Sequence, residues 1–514
     1  MNEYIKMNRD YLIIAITFIL VFSFIFNVNL DLNGDNFNYL ILAKALVQGK
    51  GYVSLISGAE VPVNFYPPGY PVILAFLNII LGDNIIAFKI INGLFFLISI
   101  ILLFNICKNI TNNKHFFFSV SILLLLNLHL MRFSTMIMSE MPFLFFSTLS
   151  IYFVYKFPAD NKFYKSPYLY LLIISLSISY YIRSIGISIF IATVLHFLIN
   201  RKWKISLSVV AGFILLYIPW AVRNLVHGLK SRYPDTVLAL NPWQPEEGEI
   251  SSVSEFLDKM IANFNETTIK GYVDALFPFL NVDYDAGSSF IFVLFSVIII
   301  TVVFTGAYNM GKLRYLFTFF LACNIFILML WHGGNGIRYV VPSIPVISVS
   351  FYNGLLLIVK KITSKRKVFT VFAYSILIMG ILSFPLIRKL EFYNSMDYPP
   401  PYMNYIKIAR YLKENTPESS IVCGRKPEIL YYFSERPSLN YEYTPNPDEL
   451  IKDLIEKNVD FVILEQLGYE STNKYLLPAV QNNPNFFKTV IYIKYPDTYL
   501  LKFERDLAQK ALME

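Results

Sequence analysis

Long apolar runs alternate with short polar turns from residue 11 to residue 388. A helix needs about 20 predominantly apolar residues to cross a bilayer. On that basis the runs at 11–28, 84–106, 115–131, 141–157, 168–182, 184–200, 205–224, 288–310, 315–331, 338–360 and 368–388 predict about eleven spans. Val72–Leu81 is apolar but too short to cross, and is read as a short helix at the outer interface. Between it and the first span lies a polar stretch, Asp31–Pro71, closed by Tyr66-Pro67-Pro68-Gly69-Tyr70-Pro71. Within that stretch Phe37, Leu40, Ile41 and Ala45 recur at helical spacing, which predicts an amphipathic helix over Phe37–Val47 lying on the membrane surface.

From Met396 onward the hydrophobicity falls and helix alternates with strand. Helices are predicted near 402–415, 427–433 and 447–458, strands at Ser420–Cys423 and Asp460–Leu464, and a hairpin near 486–504. The chain thus reads as a polytopic helical membrane domain, residues 1–392, followed by a small soluble α/β domain, residues 393–514. The other long polar segment, 226–287, contains the turn Asn241-Pro242-Trp243-Gln244-Pro245 and an amphipathic helix over Val253–Phe264. Asn265-Glu266-Thr267 fits a glycosylation sequon.

Charge fixes the sidedness. With Val72–Leu81 outside, the loops Lys108–Lys114, Lys156–Lys165, Arg201–Lys204, Gly311–Arg314 and Lys360–Lys367 all fall on one face, and all are basic. Cytoplasmic loops carry the excess of Lys and Arg. The N-terminus, with Lys6 and Arg9, is therefore expected inside the plasma (inner) membrane, and the C-terminal domain outside.

Composition agrees: 55% of residues are hydrophobic and only 16% charged, against about 25% charged in soluble chains. The net charge of +8 is accounted for by topology, so no nucleic-acid partner is expected. Cys107, Cys323 and Cys423 have no metal-ligand spacing and suggest neither a disulfide nor zinc. The first span is too long for a signal h-region and lacks a small-residue cleavage site. The C-terminal domain has no glycine-rich phosphate loop.

Two carboxylates and three arginines carry the candidate chemistry. Asp35 follows the first span, where it can cap the helix behind it or act as a general base. Glu140, in Ser139-Glu140-Met141-Pro142, stands at the outer end of a span, where a negative charge also meets the helix dipole. Such a pair can take a proton, bind a divalent cation, or both. Arg183, Arg223 and Arg338 lie at or near outer helix ends, opposite the basic loops. Snorkelling explains one of them. Three against the positive-inside bias point to an anionic phosphate, whose geometry the guanidinium fork matches. Asn224 and His332 are lesser candidates.

The order of these motifs is that of a known family: an external Asp, an Ala-x-x-hydrophobic-x-x-Gly helix, Pro-Pro-Gly-Tyr-Pro, Ser-Glu-x-Pro, Pro-Trp-x-x-Arg-Asn and Arg-Tyr-x-x-Pro. It resembles the GT-C glycosyltransferases of the protein-mannosyltransferase and aminoarabinose-transferase type over about residues 10–390. The resemblance implies an inverting enzyme that moves one sugar from a polyprenyl-phosphate donor to a lipid, glycan or protein acceptor on the outer face. It puts the base on Asp35, metal or acceptor assistance on Glu140, and the donor phosphate on Arg338, then Arg223 and Arg183. Tyr39, Tyr66, Pro67 and Pro68 belong to its substrate loop. The chain departs from relatives at Asn36, where many keep a second acid, and at Tyr66, where aminoarabinose transferases keep a basic residue. Neither a metal nor that sugar therefore follows from the resemblance. A transporter or flippase for lipid-linked glycans would place its polar groups near the bilayer midplane, often in paired repeats. An O-antigen ligase or polymerase would concentrate its polar mass in a later loop, and a non-catalytic scaffold would not depend on Asp35 or Arg338.

Overall fold

The computed structural model describes residues 2–32, 34–158, 163–231, 233–241, 247–331, 333–334, 336–362 and 366–512. His332, the Pro242–Pro245 part of the predicted turn and residues within two of the basic loops (159–162 and 363–365) lie outside the described residues, as does the side chain of Lys6.

The first half of the chain is α1 (Asn2–Ile25), α2 (Asp35–Val47), α3 (Gly69–Leu81), α4 (Ile85–Thr111), α5 (Lys114–Leu125), α6 (Leu128–Ser134), α7 (Glu140–Lys156), α8 (Pro167–Ile182), α9 (Ile187–Ile199) and α10 (Trp203–Val226). A short hairpin, β1 (Val53–Ser54) and β2 (Val61–Pro62), lies between α2 and α3. Then come α11 (Tyr233–Leu238), α12 (Val253–Phe264), α13 (Gly271–Leu276), α14 (Phe290–Tyr308), α15 (Arg314–Leu330), α16 (Ile344–Ile362), α17 (Arg366–Leu382) and α18 (Phe384–Ser395).

This is a multi-pass membrane protein. Among the described residues six helical stretches are long and apolar enough to cross a bilayer, or seven if the α5–α6 pair, bent by 60°, counts as one. The prediction of about eleven is finer than that count. The reason is length: α7, with 17 residues, α8 and the Ser184–Ile199 helix are apolar but short, whereas α3 is short as expected. The run predicted as one span at 115–131 is broken at Asn127, whose side chain caps α6 by accepting from His129 N and Leu130 N at 3.1 Å.

Two predicted loops differ from expectation. Eight of the 13 residues of α2 are buried, because its apolar side chains surround the helix instead of forming one stripe. It is sandwiched rather than laid on a surface. Segment 226–287 is largely helical: α12 runs into a π-helix, Asn265–Lys270, and then α13, whose six residues are all buried. The sequon lies in that π-helix, with Asn265 partly exposed and Thr267 buried.

The C-terminal residues form α19 (Pro400–Asn415), β3 (Val422–Cys423), α20 (Pro427–Ser434), β4 (Ser438–Leu439), α21 (Pro447–Glu456), β5 (Phe461–Leu464), α22 (Leu477–Asn482), β6 (Phe487–Ile493), β7 (Thr498–Phe503) and α23 (Arg505–Ala511). The sheet order is β4-β3-β5-β7-β6. β3 is parallel to both neighbours, and β7 is antiparallel to both of its own. Part of this region has its own core around Leu450, Val462 and Tyr475. Another part packs on the first external loop: the Phe37 ring meets Tyr432 edge-on at 5.0 Å, and Ser438 N donates to Ile56 O at 2.7 Å.

Lys89, buried on α4, fixes the start of that loop by donating to Asn27 O at 3.0 Å, Asn27 Oδ1 at 2.8 Å and Asn29 O. Farther along the chain, α14 and α16 approach through Gly306 and Gly354. A methyl on Gly306 would overlap Ser350 O, and one on Gly354 would overlap Val302 O. Small residues permit such close helix contact in membranes. Gly306→Ala is expected to destabilise the protein by about 1–3 kcal/mol, the cost of overpacking. Gly287→Ala, which meets nothing within 4 Å, should be neutral. Thermal unfolding of both variants in detergent checks this, and equal stabilities would refute the close-packing account.

Candidate functional site

Gly34 starts α2 at φ +95°, a conformation that glycine adopts without strain. A Cβ there would overlap Glu428 Oε1, so Gly34 also lets the C-terminal region reach the helix start. Asp35 is the first residue of α2 and does not cap it, since no side-chain cap is made there. Its carboxylate is used otherwise. Oδ2 pairs with Arg338 Nη2, and Oδ1 accepts from the Tyr66 hydroxyl at 3.1 Å. Burial, then the Asp35 charge, hold the Tyr66 phenol well above its ordinary range, so it stays protonated and donates.

Glu140, at the head of α7, is fully buried. Its Oε1 accepts from Arg183 Nη1 at 2.7 Å and from Arg338 Nε at 3.1 Å. Arg183 Nη1 also reaches Ser139 Oγ at 3.0 Å, and the Tyr39 hydroxyl lies 3.2 Å from the same oxygen. Seven side chains from five segments therefore form one connected network. Among the described residues no partner takes Nη1 of Arg338, or Nε and Nη2 of Arg183, so each guanidinium keeps donor capacity.

The network lines a cavity of about 920 Å³. One wall is apolar, with Ile182, Ile185 and Ile187 at the α8–α9 junction and Ile327 and Leu328 on α15. Pro67 and Tyr66 border it, while Pro68 caps α3. Gly69 permits the Pro-Pro-Gly turn to sit on the end of α8, its would-be Cβ only 2.6 Å from the backbone carbon of Tyr181. That contact places the turn two residues from Arg183.

Arg223 is not brought to the cavity. It donates to Val63 O at 2.8 Å, Asn224 Oδ1 at 2.9 Å and Tyr52 O at 2.6 Å, with its guanidinium 4.9 Å over Trp220. The Pro-Trp-x-x-Arg-Asn motif clasps the first-loop hairpin, and the assignment of Arg223 to the phosphate is corrected on that ground. Asn224 goes with it. The cation role of Asp35 and Glu140 does not fit either, because Arg338 donates to both carboxylates. No group of three or more His, Cys, Asp or Glu among the described residues is arranged to hold a metal.

Sequence reasoning missed several wall residues. Trp331 Nε1 donates to the Tyr339 hydroxyl at 3.0 Å, and Tyr233 of α11 packs on the Trp331 ring at 5.4 Å. Arg425, Lys426, Glu428, Tyr469, Glu470 and Lys474 enter from the C-terminal region. Nothing in the linear sequence signals these, because they reach the cavity only through tertiary packing. Glu266 was also missed. It projects from the π-helix and accepts from Gly334 N at 2.9 Å and Gly336 N at 2.7 Å, fixing the turn that delivers Arg338. Single π-turns recur at functional sites.

The segment 66–222 matches the family model of dolichyl-phosphate-mannose-protein mannosyltransferase. The fold matches a crystal structure of ArnT from Cupriavidus metallidurans bound to undecaprenyl phosphate, with a TM-score of 0.59 at 8% identity over 95% of this chain and 97% of that one. The apo form of the same protein matches with a TM-score of 0.58 at 11% identity, over 96% and 98%. No curated protein sequence matches the chain. The fold is that of a polytopic helical membrane protein with a small C-terminal α/β region. More narrowly, the fold is similar to that of ArnT over almost the whole length of both chains.

If Glu266 holds the turn, Glu266→Ala should speed amide exchange at Gly334 and Gly336 about tenfold or more, since bonds to a charged acceptor contribute about 1.5–3 kcal/mol. Hydrogen-exchange mass spectrometry of the full chain reads this directly. Unchanged exchange would remove Glu266 from its anchoring role.

Proposed function

We propose that the chain is a membrane glycosyltransferase that moves a sugar from a polyprenyl-phosphate donor to an acceptor on the outer face, with inversion. The observation that carries this is the joining of the Asp35–Arg338–Glu140–Arg183 network to an apolar wall in one cavity. A polyprenyl phosphate needs such a junction: hydrocarbon on one side, guanidinium donors on the other. The relative bound to undecaprenyl phosphate shares the fold and supports the same donor class. In this reading the chain makes about eleven crossings of the plasma membrane, N-terminus inside and residues 393–514 outside.

The chemistry follows from the residues. The acceptor oxygen or nitrogen attacks the anomeric carbon from the face opposite the phosphate. The bond from that carbon to the phosphate oxygen breaks, and its electron pair leaves on the polyprenyl phosphate. Arg183 and Arg338 stabilise the charge that develops there, through the donors left over from Glu140 and Asp35. Asp35 accepts the acceptor's proton. Tyr66 and Arg338 hold its two oxygens, so the carboxylate is oriented before substrate arrives. Each oxygen retains a second lone pair for that proton. Glu140 orients Arg183 and Arg338 from behind the cavity wall, and Ser139 orients Arg183.

Asp35→Asn should lower transfer by about 10²–10⁴-fold, the usual share of a general base. The check is mass spectrometry of lipids from cells lacking the gene and complemented with either form. The deletion and the Asp35→Asn strain should accumulate the same polyprenyl-phosphate monosaccharide, which would name the sugar. Full complementation by properly inserted Asp35→Asn protein would refute the base assignment. Accumulation of a diphosphate-linked polymer would point to a ligase instead.

A further inference from the structure

Three turns meet at the end of the helix bundle remote from the cavity. α7 starts at Glu140 in the site and ends at Lys156. α9 starts at Ile187 on the cavity wall and ends at Ile199, while α15 starts at Arg314 and reaches the wall at Leu328. At the far ends of these helices lie Phe157, residues 200–202 and the turn Gly311–Leu313. Side chains tie them together. The Phe157 ring meets that of Phe197 on α9 at 5.4 Å, and Lys202 N donates to Phe197 O at 2.8 Å. Lys312 Nζ donates to Tyr155 O at 2.5 Å and lies 4.1 Å over the Tyr155 ring. Lys156 Nζ lies 5.6 Å from the same ring.

Two ammonium groups thus share one ring, and the charge of Lys202 acts on Lys312 together with that of Lys156. Among the described residues no carboxylate pairs with any of the three. Asp160, which follows Lys156 by four residues, lies outside the described residues. Counted in full, segments 156–165, 201–204 and 311–314 hold eight Lys or Arg and that one Asp. Like charges so placed repel one another unless an anion sits among them. The positive-inside bias asks only for Lys and Arg on one side of the membrane. It does not ask for three lysines, from three turns, to act on one another without a carboxylate.

The surroundings say what kind of anion fits. Leu198 and Ile199 at the end of α9, and Trp203 and Leu207 at the start of α10, are exposed beside Lys202. In a membrane protein such apolar exposure faces acyl chains. Trp with Lys marks the level of the headgroups, and Lys204 Nζ lies 5.5 Å over the Trp203 ring. Basic pockets between helices at that level take anionic headgroups.

We propose that Lys156, Lys202 and Lys312 form a binding site for the phosphate of an anionic phospholipid in the leaflet remote from the cavity. The lipid would join the far ends of α7, α9 and α15, three helices whose other ends build the site. The proposal uses the membrane part alone and does not rest on the transferase reading.

The test is native mass spectrometry of the full chain titrated with phosphatidylglycerol, with phosphatidylcholine as the control of no net charge. The wild type should bind phosphatidylglycerol at least tenfold more tightly. Lys156→Gln, Lys202→Gln and Lys312→Gln should each lower that affinity about fivefold, the contribution of one basic side chain near the surface. Phosphatidylcholine binding should stay within twofold. Lys361→Gln, at the end of α16, which starts beyond Arg338 and runs to the same end of the bundle, should also stay within twofold for phosphatidylglycerol. Lys156 is exposed and holds no backbone group, so Lys156→Gln decides the matter if Lys312→Gln fails to fold. Equal affinity of the wild type for the two lipids would overturn the proposal. So would an equal loss with Lys361→Gln, which would show a diffuse field in place of a site. Displacement of the bound lipid by millimolar inorganic phosphate would assign the lysines to a soluble anion and overturn the lipid assignment.

Discussion

The guanidinium of Arg338 is the hinge-pin of the structure. It joins Asp35, 303 residues away in sequence, to Glu140, 198 residues away. A fully buried carboxylate is costly to remove from water, and it is tolerated only when paired and hydrogen-bonded. Glu140 meets that requirement with two arginines on one oxygen. The other oxygen has no protein partner among the described residues. Removing either arginine would leave a buried charge poorly compensated, so the loops that carry the arginines are fixed by the same need that makes the site.

Much of the remaining external structure serves those loops. Glu266 holds the turn before Arg338 by two backbone amides. Gly69 lets the proline turn sit against the end of α8, just ahead of Arg183. Lys89 fixes the exit of α1, and Arg223 clasps the hairpin that follows α2. Each of these is a charged or conformationally special residue whose partners are mostly backbone groups. Such contacts set geometry without adding titrating groups to the cavity. The direction of the Asp35 carboxylate is set within that frame by Tyr66 and Arg338.

Element type and order were legible because periodicity and length carry them. The helices α7, α8, α10, α12 and α19, the strand β5 and the terminal hairpin lie within a few residues of the predicted runs. The five polar residues singled out by motif divide by tertiary contact. Asp35, Glu140, Arg183 and Arg338 meet, and Arg223 does not. Linear position at an outer helix end could not separate them, since Arg223 and Arg183 look alike until their partners are seen. The helix α2 misled for a related reason. Phe37, Leu40, Ile41 and Ala45 suggested a single apolar face, yet Asn36, outside that set, is fully buried and donates to Asp31 O. The two-residue strands β3 and β4 are too short to show a period of two. The cavity wall they deliver was therefore invisible until the sheet was assembled.

That wall changes how the first external loop should be understood. Gly34, next to Asp35, has no room for a side chain because Glu428 occupies the place. Phe37, two residues on, packs against α20. The loop is thus clamped between the membrane helices and the small sheet, and the C-terminal region closes the site rather than hanging beside it. A loop clamped from both sides cannot swing aside without breaking the β4–first-loop backbone bond at Ser438 or the aromatic contact at Phe37. The cavity closed in this way is apolar where α8, α9 and α15 line it and polar where the sheet edge does.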